Sequence, residues 1–163
     1  KTEAIVNAAN GTLLGGGGVD GAIHRAAGPE LLEECKKIRQ EDLKGEYLET
    51  GKAVITKGYR LHAKYVIHTV GPVWKGTAED DALLADCYKN SLKLAQENNI
   101  KSISFPAIST GAYRFPIEKA SIISVKAVVD FLRENEFGEV AFVLFSENDY
   151  GHFKRALNEV FGN

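Results

Sequence analysis

The sequence predicts an α/β fold, with helices on both faces of a mixed, mostly parallel sheet. Three observations predict it. Short apolar segments alternate with segments whose apolar residues recur at helical spacing. One pair of strand-like segments is joined by a turn alone, which allows a single antiparallel pair. And 163 residues, 44% hydrophobic and 26% charged, suit one globular domain spanning 1–163.

Glu3–Ala8 reads as a short buried strand that runs into Asn-Ala-Ala-Asn. After a glycine cluster, Ala22–Ala27 and Glu30–Gln40 read as helical, with Pro29 at a helix start where its missing N–H does no harm. Leu31, Leu32, Cys35 and Ile38 form the apolar stripe of the second of these. Ala53–Lys57 and Lys64–Val70 are strands linked by the turn-prone Gly58-Tyr59-Arg60-Leu61, and the second is apolar enough to be buried on both faces. Asp80–Asn98 is a helix with Leu83, Leu84, Cys87, Leu92, Leu94 and Ala95 inward. Ser102–Phe105 is a strand closed by Pro106, Ile117–Glu134 a long helix, Val140–Phe145 a strand, and Gly151–Phe161 an amphipathic helix.

No apolar run approaches the roughly 20 residues of a membrane span, and the N-terminus carries no signal-peptide pattern. Cys35 and Cys87 lie far apart with no metal-ligand spacing; buried thiols in a cytoplasmic setting are expected. A net charge of −2 argues against attraction to a nucleic-acid backbone. It does not argue against a small anion, which backbone N–H groups bind locally.

Two loops at strand ends have unusual composition, at the edge where ligands of such sheets sit. In the first, Asn10 to Asp20, Gly15-Gly16-Gly17-Gly18 runs between a strand and a helix. Backbone without Cβ atoms approaches a ligand closely, and a following helix start favours a phosphate; a flexible surface loop is the plain alternative. Asp20 suits an N-cap of a helix beginning near Gly21, and equally a carboxylate that holds a sugar hydroxyl or activates a water. The second loop, Ser109 to Pro116, offers the hydroxyls of Ser109 and Thr110, the close approach of Gly111 and the aromatic rings of Tyr113 and Phe115. A turn stiffened by Pro116 is its alternative. Two glycine-bearing loops on one sheet edge favour a shared pyrophosphate. The Rossmann fingerprint fails for want of its acidic residue; a Walker A loop fails because Gly45 to Gly51 is one residue too long and Lys52 precedes Ala53.

Ala4-Ile5-Val6-Asn7-Ala8-Ala9-Asn10 and the stretch Leu13 to Pro29 resemble the signature of MacroD-type macrodomains. Tyr65-Val66-Ile67-His68-Thr69-Val70-Gly71-Pro72 and Phe105-Pro106-Ala107-Ile108-Ser109-Thr110-Gly111 extend the resemblance over nearly the whole chain, in order. It implies a three-layer α/β/α fold and an ADP-ribose cleft that needs neither metal nor cofactor. It also implies an enzyme that removes mono-ADP-ribose from Glu and Asp side chains and deacetylates O-acetyl-ADP-ribose. By the same resemblance Asn10 and Asp20 face the distal ribose and the scissile ester. Gly17, Gly18 and Val19 form one phosphate and ribose loop, and Ser109, Thr110, Gly111, Ala112 and Tyr113 the other. Phe145, ending the last strand, packs near the adenosine, and Ala8 makes a backbone contact.

The family carries a Gly-Asp-Ile-Thr-like segment before the first matched strand, whose Asp bonds the adenine amine. The sequence starts at Lys1, downstream of that point, so the family's N-terminal edge strand is expected to be missing. The expected partners are ADP-ribose, mono-ADP-ribosylated proteins and O-acetyl-ADP-ribose, with no nucleic acid and no membrane, and the chain is expected to be a monomer. His68 and His24 are expected to be structural, and His62 and His152 to lie at the surface. Two rivals remain: a reader that binds ADP-ribose without turnover, and a phosphatase acting on ADP-ribose-1″-phosphate.

Overall fold

Alternation along one strand sets the architecture. In β1 (Ala4–Ala8), Ala4 and Val6 enter one apolar cluster while Ile5 turns to another, so helices are needed on both sides. The structure is a computed structural model that describes residues 1–162. β1 lies at the centre of a five-stranded sheet of order β2-β3-β1-β4-β5. The other strands are β2 (Ala53–Lys57), β3 (Tyr65–Thr69), β4 (Ser102–Phe105) and β5 (Glu139–Phe142). β2 runs antiparallel to β3 and every other pair is parallel. The mixed α/β/α sandwich expected from the sequence is the one observed.

On one face α1 (Gly18–Ala27) and α2 (Pro29–Glu41) bury Ile23, Ala27, Leu31, Cys35 and Ile38 against Val66 and Ile5. On the other, α3 (Ala78–Glu97) and α4 (Ile117–Glu134) bury Leu84, Tyr88, Leu92 and Val128 against Val6, Ile67 and Ile103. α5 (Glu147–Phe161) closes this side, with Phe153 and Ala156 packed on Val125 and Val129 of α4. Each buried Leu, Ile or Phe contributes about 1.5–3 kcal/mol, so these clusters hold the strand ends that frame the site. Among the described residues no helix is long and apolar enough to cross a membrane.

Of the boundaries that differ from expectation, four have a clear local reason. α1 begins at Gly18, not Ala22, because Gly17 takes the N-cap position in extended geometry. Asp20 is therefore not an N-cap; it lies in the first turn with its side chain directed inward. β5 ends at Phe142, not Phe145. Val143 N–H still reaches Phe105 C=O, but β4 then turns away, with Ile108 N–H bonding Pro106 C=O and Thr110 N–H bonding Ala107 C=O. α5 starts four residues early, at Glu147, because Ser146 caps it by accepting from Asp149 N–H at 3.1 Å. α3 begins at Ala78 behind a capping box of Thr77 and Asp80.

Candidate active site

β1, β3, β4 and β5 all deliver their carboxyl ends to one edge of the sheet, and a cleft of about 670 Å³ opens there. All twelve residues singled out from the sequence line it: Ala8, Asn10, Gly17, Gly18, Val19 and Asp20 on one wall, with Ser109, Thr110, Gly111, Ala112, Tyr113 and Phe145 opposite. Sequence reasoning missed the floor and far end, where Ala9, Ala22, Gly71, Leu144 and Asp149 contribute. Phe145 stands in the loop after β5, not at the end of the strand, and is 77% exposed.

The first wall is rooted by Leu13. Its side chain is fully buried beneath the loop at φ 61°, and its N–H bonds Asn10 C=O at 3.0 Å. Leu48 N–H holds Gly11 C=O at 2.9 Å, and Asn10 Nδ2 donates to Gly15 C=O at 3.0 Å. The glycines that follow are not equivalent. A Cβ at Gly16 would run into the Asn10 amide and come within 3.4 Å of Asp20 Oδ2. Gly18 has φ +55°, strained for any other residue, whereas Gly17 is unobstructed and has ordinary extended backbone. α1 begins here, so the N–H groups of Gly18, Val19 and Asp20 have no partner within the helix, and the dipole adds positive potential.

The second wall is a tight backbone knot. Phe115 N–H bonds Ser109 C=O and Arg114 N–H bonds Gly111 C=O, both at 2.9 Å, while Phe115 plugs into the core. Ser109 takes φ +69°. The N–H groups of Gly111, Ala112 and Tyr113 donate no hydrogen bond among the described residues. Tyr113 reaches across the cleft, its hydroxyl 3.4 Å from Asn10 Oδ1.

Asp20 is 4% exposed, and its two oxygens are used differently. Oδ1 accepts from Asn7 Nδ2 at 2.9 Å and faces His24 Nε2 at 3.4 Å; Oδ2 has no hydrogen-bond partner among the described residues. Buried acceptors without a partner are costly, and Asp20 is one of the residues that line the cleft. His24 therefore touches the carboxylate of interest, beyond the structural role expected for it, and Asn7, which sequence reasoning left in the strand, does so too. The only available signal was a polar residue in an otherwise apolar strand. His68 is hydrogen-bonded within the sheet as expected, and burial, with His24 nearby, pushes its pKa down to about 3. His62 is exposed and His152 half-buried. Both cysteines are buried, and burial raises Cys35 to about 12 and Cys87 to about 11, so neither offers a thiolate.

The sequence profile of the family described as "Macro domain" matches residues 6–124. The protein named "O-acetyl-ADP-ribose deacetylase" from Escherichia fergusonii is 55% identical over 159 residues, 96% of this chain and 88% of the relative. "ADP-ribose glycohydrolase MACROD2" from Homo sapiens is 51% identical over 167 residues, which cover 99% of this chain and 37% of the human protein. The solved Oceanobacillus iheyensis macrodomain with ADP superposes with a TM-score of 0.96 at 51% identity, covering 99% of this chain and 85% of that one.

Proposed function

The chain belongs to the macro domain family, and from that premise we propose that it is an ADP-ribose-binding hydrolase. It releases mono-ADP-ribose from Glu and Asp side chains and acetate from O-acetyl-ADP-ribose. The unpartnered Oδ2 of Asp20 carries this reading, because Asp20 shares its cleft with two loops whose unbonded N–H groups suit a pyrophosphate.

The amides of Gly18 and Val19 on one wall and of Gly111, Ala112 and Tyr113 on the other clamp the two phosphates. The adenosine lies toward Phe145 and the distal ribose between Asn10 and Asp20. Asp20 Oδ2 accepts from a water poised over the ester carbon, with a phosphate oxygen of the substrate as its second acceptor. The water adds to the ester, and the ribose oxygen leaves with a proton. Because the thiols are protonated and Ser109 and Thr110 have no adjacent base, positioning of ribose and water supplies most of the rate. Gly16 keeps the two side chains close by adding nothing between them.

Proteins mono-ADP-ribosylated on Glu and on Arg, incubated side by side with the protein, test the reading. ADP-ribose is expected from the Glu-linked substrate alone, and acetate from O-acetyl-ADP-ribose. Cleavage of the Arg-linked substrate alone would overturn the proposed chemistry. Tight ADP-ribose binding with no release from either substrate would make the protein a reader. Phosphate release from ADP-ribose-1″-phosphate as the sole turnover would make it a phosphatase.

A further inference from the structure

Beneath the cleft a row of polar side chains crosses three strands on the face covered by α1 and α2: Thr56 on β2, His68 on β3 and Asn7 on β1. Asn7 and His68 are register partners, and all three are buried. We propose that Thr56 and His68 form a directional relay that sets the flip state of the Asn7 amide and, through it, the orientation of the Asp20 carboxylate. They are positioning residues for the hydrolysis. This rests on the reading that Asp20 handles the water.

The direction of every bond follows from what each group can do. Asn7 Nδ2 lies 2.9 Å from Asp20 Oδ1 and 3.1 Å from His68 Nδ1. A carboxylate accepts, so the amide presents its NH2, and both of its hydrogens are then used. His68 Nδ1 must therefore be the bare nitrogen, and the ring proton sits on Nε2. Nε2 lies 2.9 Å from Thr56 Oγ1, which accepts it and directs its own hydrogen to Val66 C=O at 3.5 Å. Cys35 Sγ, 3.9 Å from Nε2, is the remaining neighbour and a weak one.

The other tautomer breaks the chain. A proton on Nδ1 would face the Asn7 NH2, donor against donor. Flipping Asn7 to relieve this would set its carbonyl oxygen against Asp20, acceptor against acceptor, where little water screens the contact. An imidazolium has the same fault, and burial keeps the ring neutral. A second observation agrees: Asn7 Oδ1 is buried with no hydrogen-bond partner among the described residues. A residue placed there for packing alone would not carry an orphaned carbonyl. The NH2 end is what the site uses.

Thr56 is the place to test this, because it lines neither the cleft nor the wall of Asp20. Thr56→Val keeps the shape and the strand preference but removes the hydroxyl; Thr56→Ser restores it. Four quantities are read on the full chain: kcat and KM for release of ADP-ribose from a Glu-linked substrate, the affinity for ADP-ribose, and the His68 tautomer from its ring 15N signals. Thr56→Val is expected to lower kcat by about tenfold, a fraction of what a misplaced reacting group costs. Affinity should stay within about twofold, with His68 shifted toward the Nδ1–H form, and Thr56→Ser should recover kcat and tautomer together. A folded Thr56→Val protein with wild-type kcat, or one that loses kcat while His68 stays Nε2–H, would overturn the relay. The tautomer is read without substrate, so an unchanged tautomer rejects the relay even if Asp20→Asn shows that Asp20 has no part in turnover. A shifted tautomer with an inert Asp20 would instead reject only the chemistry assigned to Asp20.

Discussion

The loop Asn10–Gly18 and the loop Ser109–Pro116 face each other across one cleft, yet they are held in different ways. The first is shaped by side chains: Leu13 anchors it from below, the Asn10 amide braces Gly15, and Asn10 and Asp20 crowd the place where a Gly16 Cβ would go. The second is shaped by its own backbone, through the bonds from Phe115 to Ser109 and from Arg114 to Gly111, with open space where a Gly111 Cβ would go. In the proposed function, the first loop couples N–H groups for the phosphates to the carboxylate that handles the water, while the second offers mainly N–H groups. Chemistry and grip would then be divided between the walls.

Removing the carboxylate proposed to handle the water gives the sharpest contrast. Asp20→Ala is expected to cut turnover of a Glu-linked substrate by about 10²-fold or more, in the range of a lost general base. The melting temperature, read alongside, separates this from unfolding. Turnover within a few-fold of wild type would take the chemistry away from the first wall.

Next comes the difference between two glycines. Gly16→Ala places a methyl against the Asn10 amide, so the loop must open, at about 1–3 kcal/mol by analogy with overpacked sites. Gly111→Ala meets nothing, and no positive φ is needed there, so its stability should stay within about 0.5 kcal/mol of wild type. Urea denaturation of the two variants decides this. Equal losses would mean that the loops are built alike.

Much of this was legible in the sequence, and the reason it was legible explains what was not. Ala53–Lys57, Ser102–Phe105 and Ile117–Glu134 form the elements expected of them residue for residue, because composition and period change together at their ends. Gly18–Gly21 gave no helical signal, since two of its residues are glycines, poor helix formers, and the cap at Gly17 is itself a glycine with no side chain to mark it. The cleft residues could be named because glycine runs and a chain-wide resemblance mark them. Asn7, Thr56 and His68 lie far apart along the chain and meet only once the register Asn7↔His68 is known. Cross-strand neighbours leave no local trace.

Gly17→Asp separates grip from fold within the first wall. Gly17 is the N-cap of α1 in extended geometry with open space around it, and Asp is among the better N-caps. The variant should melt at or slightly above the wild-type temperature. Its carboxylate would nevertheless stand among the amides proposed to hold the pyrophosphate, so affinity for ADP-ribose should fall by about tenfold, or about 1.4 kcal/mol. Titration calorimetry at two salt concentrations checks both parts, because a charge effect shrinks as salt rises. Unchanged affinity would move the phosphates away from this helix start.

Tyr113→Phe should have the smallest effect, and that smallness is informative. The hydroxyl lies 3.4 Å from Asn10 Oδ1, a long contact, while the Tyr113 backbone is held separately by Trp74 N–H at 2.9 Å. Losing the hydroxyl leaves the loop, its free amides and the ring in place, and Asn10 keeps its bond to Gly15. A weak bond of this kind contributes about 0.5 kcal/mol, so affinity and kcat should each change by about twofold. A loss beyond about tenfold in kcat with affinity intact would mean that Asn10 is positioned from across the cleft. The second wall would then share in the chemistry through a side chain, and the division between the loops would fail at its most direct point of contact.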